Sequence, residues 1–315
     1  LATNASTELA GGAGGPDDVV FGRPFTVDTA RGAMAGRAHG PAGPPDLVFL
    51  HANGFCGSTY APLLAPLGAG GARVVSLDLR GHGRTRLPAD PDRQRSWHGF
   101  RDDVAAALRA LAPDGAVLAG HSMGATTAIL TAAVPGAQVR GLVLFDPVLA
   151  PAAFYLYARM PWVFATWRRH FPMAAAALRR RATFESRADA LARWQDRGAF
   201  KGWAEGFLEG YAADGLTEAD DGGVRLSCAP AFEAACFAGQ AHDPHAALRR
   251  VGAPIRLLRG GRHSTCSDAG VRAVRAAGGA VERVEGTSHF LPMQAPAVAV
   301  TALRAALAGD FAQDR

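Results

Sequence analysis

The chain has 315 residues, 49% of them hydrophobic and 19% charged, which is enough for one large core and an accessory lobe in an ordinary soluble globular protein. No apolar run reaches the length of a membrane span, and no membrane partner is expected. The formal net charge of +5 rests almost wholly on arginine, with Lys201 the only lysine. The clusters Arg168-Arg169-His170 and Arg179-Arg180-Arg181 read as solvated helix faces rather than as a nucleic-acid surface.

In chain order, residues 1–17 read as a flexible lead-in with GGAGG as spacer, and no signal-peptide pattern is visible. Strand-like segments follow at Val19–Val27 and Gly32–His39. Short apolar runs then alternate with helical patterns: strands at 47–50, 73–77, 116–119 and 139–145, and helices near 59–67, 97–111 and 123–134. Such alternation predicts a parallel sheet covered on both faces. It stops at Asp146-Pro147. Residues 150–247 carry most of the aromatic side chains and no clear strand, and they read as a helical insertion. The alternation resumes with strands at 255–258 and 280–284, a helix near 268–277 and a last helix at 296–308. Cys56, Cys228, Cys236 and Cys266 show no C-x-x-C spacing and read as reduced thiols of a cytoplasmic protein.

Chemistry concentrates in loops that follow the strands. Gly120-His121-Ser122-Met123-Gly124 is a G-x-S-x-G pentapeptide between a strand and a buried helix, where a sharp turn presents the serine hydroxyl. Small residues at 119, 120, 124 and 125 suit a place where strand and helix nearly touch. His51-Ala52-Asn53-Gly54-Phe55-Cys56-Gly57-Ser58 follows the strand ending at Leu50. Asp78-Leu79-Arg80-Gly81-His82-Gly83-Arg84-Thr85 follows the next. Gly286-Thr287-Ser288-His289-Phe290-Leu291-Pro292 follows the last.

Together, in this order, these motifs resemble the α/β-hydrolase family over about residues 19–310. The resemblance implies an α/β-hydrolase fold: a mostly parallel central sheet flanked by helices, with a helical cap inserted after the sixth strand. The core then comprises residues 18–149 and 248–315, and the cap 150–247. The resemblance makes Ser122 the nucleophile and His289 the base, with the backbone N–H groups of Phe55 and Met123 as oxyanion hole. It gives the Asp78 loop an architectural role. Relatives often place the acid after the seventh strand, where this chain has His263 and Ser264. A second location in the fold follows the sixth strand, and Asp146 stands there. Asp146 is therefore the expected acid, and Asp268, a residue that could instead cap the following helix, is the alternative.

His51 and Asn53 would either brace their loop or touch substrate, and His121 is a further candidate for touching it. His242 and His245 with Asp243 do not form a metal-ligand set, because Pro244 interrupts the helical face, and no cofactor or metal is expected. Cys56, beside the oxyanion loop, reads as a buried thiol. The implied function is a serine hydrolase cleaving a carboxylic ester or lactone of a small, mainly apolar substrate through an acyl-enzyme. The apolar character is inferred from the aromatic-rich insertion, which would roof a pocket. Alternatives are a C–C bond or amide hydrolase with the same triad, or a non-catalytic ligand-binding protein on the same fold. The expected partner is the small-molecule substrate, and a homodimer is left open.

Overall fold

The computed structural model describes residues 20–220 and 222–312, so the expected lead-in at 1–17 lies outside the described residues. The strands are β1 (Arg23–Thr29), β2 (Gly32–His39), β3 (Leu47–Leu50), β4 (Val74–Leu77), β5 (Ala116–His121), β6 (Val139–Phe145), β7 (Thr183–Phe184), β8 (Leu216–Glu218), β9 (Val224–Leu226), β10 (Ile255–Gly260) and β11 (Ala280–Val284). Eight of them form one sheet in the order β1-β2-β4-β3-β5-β6-β10-β11. Pairing is parallel from β4 through β11, whereas β1 and β2 are joined antiparallel at the edge.

The sheet is a partition between two apolar layers. Alternation along each strand sends Val48 and Leu50 to one face and Leu47 and Phe49 to the other. The first face packs under the helices His98–Leu111 and Met123–Ala132, with Phe100, Leu108 and Ile129 buried against it. The second packs under Ala61–Ala69 and Pro296–Leu307, with Leu63, Leu64 and Leu303. Both faces being covered is why the central strands are buried at every position.

Register brings the functional loops together. Leu50 pairs with Leu77 and with Gly120, His121 with Phe145, and Leu258 with Phe145. The ends of β3, β4, β5, β6 and β10 are therefore level, and the loops beginning at His51, Asp78, Ser122, Asp146 and Gly261 open on one edge.

Between β6 and β10 the chain forms short helices, among them Val163–His170, Pro172–Leu178, Arg187–Trp194, Phe207–Gly215 and Pro230–Ala238. It also forms a small antiparallel sheet, β7-β9-β8, which the sequence reading did not foresee. Strands of two or three residues are too short to show an alternating pattern.

Candidate active site

Ser122 sits where β5 turns into the helix Met123–Ala132. Its φ of 55° and ψ of −116° are a conformation that a side chain bearing a Cβ rarely adopts. The surroundings hold it there. A Cβ on Gly120 would lie 2.6 Å from the carbonyl carbon of Gly124, and one on Gly124 would lie 2.2 Å from Leu50 O. Only glycines allow strand and helix to approach this closely, and that approach tilts the serine outward.

Three side chains from three loops converge. Ser122 Oγ is 3.0 Å from His289 Nε2, and His289 Nδ1 is 2.6 Å from Asp146 Oδ2. Asp146 is fully buried and itself has a positive φ of 43°. Its Oδ1 accepts from Gly260 N at 2.9 Å and from Ser264 Oγ at 2.6 Å, and its Oδ2 from Thr265 N at 2.9 Å. Burial alone would raise its pKa. The His289 bond and charge, with the Ser264 and Thr265 donors, outweigh burial and hold the pKa below the ordinary carboxylate value. An ionised carboxylate only accepts, so Nδ1 of His289 carries the proton and Nε2 faces Ser122 as an acceptor.

Ser264 and Thr265 were missed as site residues. The loop where relatives often carry the acid here supplies hydroxyl and amide donors to an acid from the neighbouring strand. The only signal was the Ser-Thr pair in that slot. His263, beside them, is exposed. Asp268 is remote from this arrangement: its carboxylate is exposed and pairs with Arg259 at 2.6 Å. The helix cap is Ser267, whose hydroxyl accepts from Gly270 N, so Asp268 is not the cap either.

The oxyanion loop requires a correction. Phe55 N–H donates to Ala52 O at 3.1 Å and Gly54 N–H to His82 Nε2 at 3.0 Å, so both amides are spent within the protein. Among the described residues no acceptor takes the N–H of Asn53 or of Met123, the first residue of its helix. Asn53, not Phe55, offers the free amide on this loop.

Two of the candidate substrate-contacting residues are also corrected. His51 and His121 are fully buried and do not line the cavity, while Asn53 does. His51 Nε2 accepts from Leu79 N at 2.9 Å, which leaves Nδ1–H to donate to Ala52 O at 2.7 Å. His121 Nε2 lies 2.8 Å from His289 O, and a carbonyl can only accept, so Nε2 carries the proton. Tyr60 Oη then donates to His121 Nδ1 at 2.8 Å. Burial, followed by the nearby His289, pushes the His121 pKa down to about 3, so the ring is neutral. These histidines brace the loops that carry the site.

The Asp78 loop is tied down as expected. Asp78 accepts from Gly57 N at 2.7 Å and Arg84 N at 2.8 Å, and Arg80 Nε donates to Asp103 at 2.6 Å. Burial first, then Asp78 and Asp214, lift the Cys56 thiol to about 12, which makes it a poor nucleophile. His242 stacks on Trp97, His245 bonds to Ala150 O at 2.8 Å, and both rings pack against Tyr155.

A cavity of about 480 Å³ opens above Ser122 and His289. Its floor is Ala52, Asn53, Phe55 and Phe290, and the inserted segment supplies the rest, including Phe184, Trp194, Phe200 and Phe237. Arg180, expected on a solvated helix face, is instead largely buried in this wall and donates to Glu233 at 2.6 Å and Tyr211 at 2.7 Å.

The sequence profile of the alpha/beta hydrolase family matches residues 47–303. The chain belongs to the alpha/beta hydrolase family. It is 31% identical over 120 residues to 2-(acetamidomethylene)succinate hydrolase of Mesorhizobium japonicum, a match covering 38% of this chain and 41% of that protein. It is 35% identical over 111 residues to protein phosphatase methylesterase 1 of Mus musculus, covering 33% and 28%. These matches span less than half the length of either relative. Among solved structures, E-2-(acetamidomethylene)succinate hydrolase superposes with a TM-score of 0.73 at 25% identity, covering 91% of this chain and 98% of that one. A thioesterase domain from the curacin biosynthetic pathway superposes at 0.66 with 21% identity, covering 89% and 98%. This alpha/beta hydrolase has no helix among its described residues long and apolar enough to cross a membrane.

Proposed function

We propose that this alpha/beta hydrolase is a cofactor-independent serine hydrolase that cleaves a carboxylic ester or lactone through an acyl-enzyme. The observation that carries the reading is the hydrogen-bonded chain Ser122–His289–Asp146, 3.0 and 2.6 Å long, at the floor of a mainly apolar cavity. His289 Nε2 takes the Ser122 proton as Oγ attacks the carbonyl carbon. Asp146 holds the imidazole in the required tautomer and stabilises its charged form. The amides of Asn53 and Met123 receive the developing oxyanion, and residues 150–247 act as a cap that limits water above the ester. His289 then returns its proton to the leaving group and activates the water that releases the acid. The four cysteines, all buried and unpaired, support a cytoplasmic location.

A second reading, hydrolysis of an amide or a C–C bond by the same residues, draws support from the likeness to 2-(acetamidomethylene)succinate hydrolase. The ester reading is tested with p-nitrophenyl acetate. We expect turnover with an initial burst, reduced by at least about 10³-fold in Ser122→Ala. A Ser122→Ala enzyme as active as the parent would overturn it. Absence of any turnover would favour a ligand-binding protein on this fold.

A further inference from the structure

The charge on the cavity wall bears on which ester this proposed hydrolase takes. Four arginines line the cavity, Arg180, Arg181, Arg193 and Arg197, against one acid, Glu233. Arg180 and Glu233 neutralise each other at 2.6 Å. Arg193 Nε donates to Asp189 Oδ1 at 2.8 Å, and the carboxylate nearest Arg181 is also Asp189, 4.0 Å away. One carboxylate therefore serves two guanidinium groups. Arg197 has no side-chain hydrogen bond or ion pair among the described residues. Its chain neighbour Asp196 accepts from Gly202 N at 2.9 Å. Glu185 lines a separate hollow that Arg181 also borders.

The wall thus carries more cationic than anionic charge, above an otherwise apolar interior that contains Ser122 and His289. A guanidinium is a planar fork suited to receiving a carboxylate through two hydrogen bonds. An apolar interior whose wall holds one unpaired guanidinium, Arg197, and two that share the Asp189 carboxylate matches a molecule with an apolar body and an anionic end. We propose that the substrate is an anionic ester or lactone whose carboxylate is received by Arg197 and Arg193, which sets the scissile carbonyl at Ser122. This rests on the serine-hydrolase reading and replaces the mainly apolar substrate expected from the aromatic content.

The test compares p-nitrophenyl hydrogen glutarate with its neutral isostere, in which an isopropyl group replaces the carboxylate. The expected kcat/KM ratio favours the anionic ester by about tenfold or more. The preference shrinks as salt is raised, because the arginines are partly solvent-exposed and screened. In the double variant Arg193→Gln/Arg197→Gln the ratio falls to about one, and Arg197→Lys, which keeps charge but loses the fork, falls between. Equal turnover of the two esters, or variants that change both equally, overturns the proposal. If neither ester is cleaved, the hydrolase reading fails, and calorimetric titration with glutarate decides the anion site separately. Binding weakened about tenfold in the double variant supports it, and no binding to the parent protein overturns it.

Discussion

At the residue scale, the carboxylate that meets His289, the acid of the proposed triad, comes from the loop after β6 and not from the loop after β10. Asp146 occupies the end of β6, and the loop after β10 has become its support through Ser264 and Thr265. Asp146→Asn is expected to lower kcat by about 10⁴-fold with folding unchanged, because an amide favours the wrong imidazole tautomer. Asp268→Asn should stay within about twofold, since its carboxylate is exposed and bonded to Arg259. Steady-state kinetics on both variants, with melting curves as controls, would decide between the two. A larger loss in Asp268→Asn would move the acid there. That Ser122, His289 and Asp146 would meet was legible in the sequence because each lies in a short motif at a fixed place after a strand. The free amide of Asn53 was not. Which amide of residues 51–57 is left unspent depends on hydrogen bonds to Ala52 O and His82, and residue type does not encode these. The choice between bracing and substrate contact for His51, and the burial of His121, were illegible for a related reason, because tertiary packing encloses both rings.

At the scale of elements, the turn from β5 into its helix works only because backbone meets backbone. Gly124→Ala would drive a Cβ to 2.2 Å from Leu50 O, whereas Gly252 has open space around it. The first substitution is expected to cost about 1–3 kcal/mol and to reduce activity further by shifting Ser122. Gly252→Ala should change stability by less than about 0.5 kcal/mol. Denaturant titration measures both, and equal effects would contradict the close-contact account. The strands and helices of the core were readable from four-residue apolar runs separated by helical periods. The inserted segment was not, because β7, β8 and β9 are too short for a pattern and their partners are distant in sequence.

At the scale of the whole molecule, buried histidines govern the response to acid. Burial lowers the pKa of His39 and His82 to about 4 and of His121 and His242 to about 3, with His51 also well below its ordinary value. Below pH 6.5 the unfolded chain takes up protons that these folded rings refuse. Each such ring contributes stability that is present at neutral pH and lost as pH falls from 6.5 toward its folded pKa, at about 1.4 kcal/mol per pH unit. Asp78, lifted to about 7 by burial and by Asp214, acts in the opposite sense, as does Glu233, raised by burial. Five histidines outnumber two acids, so the melting temperature should fall steadily from pH 7 to pH 5. A flat or rising profile would contradict the count. The arginines that line the cavity were visible as residues but not as a wall, since the fold had to bring Arg181, Arg193 and Arg197 to one side. The account as a whole depends on Ser122 being an activated nucleophile. Its most direct test is to treat the protein with a fluorophosphonate and map the adduct by peptide mass spectrometry. The account predicts one adduct, on Ser122, lost in His289→Ala; an unmodified Ser122, or labelling indifferent to His289, would contradict it.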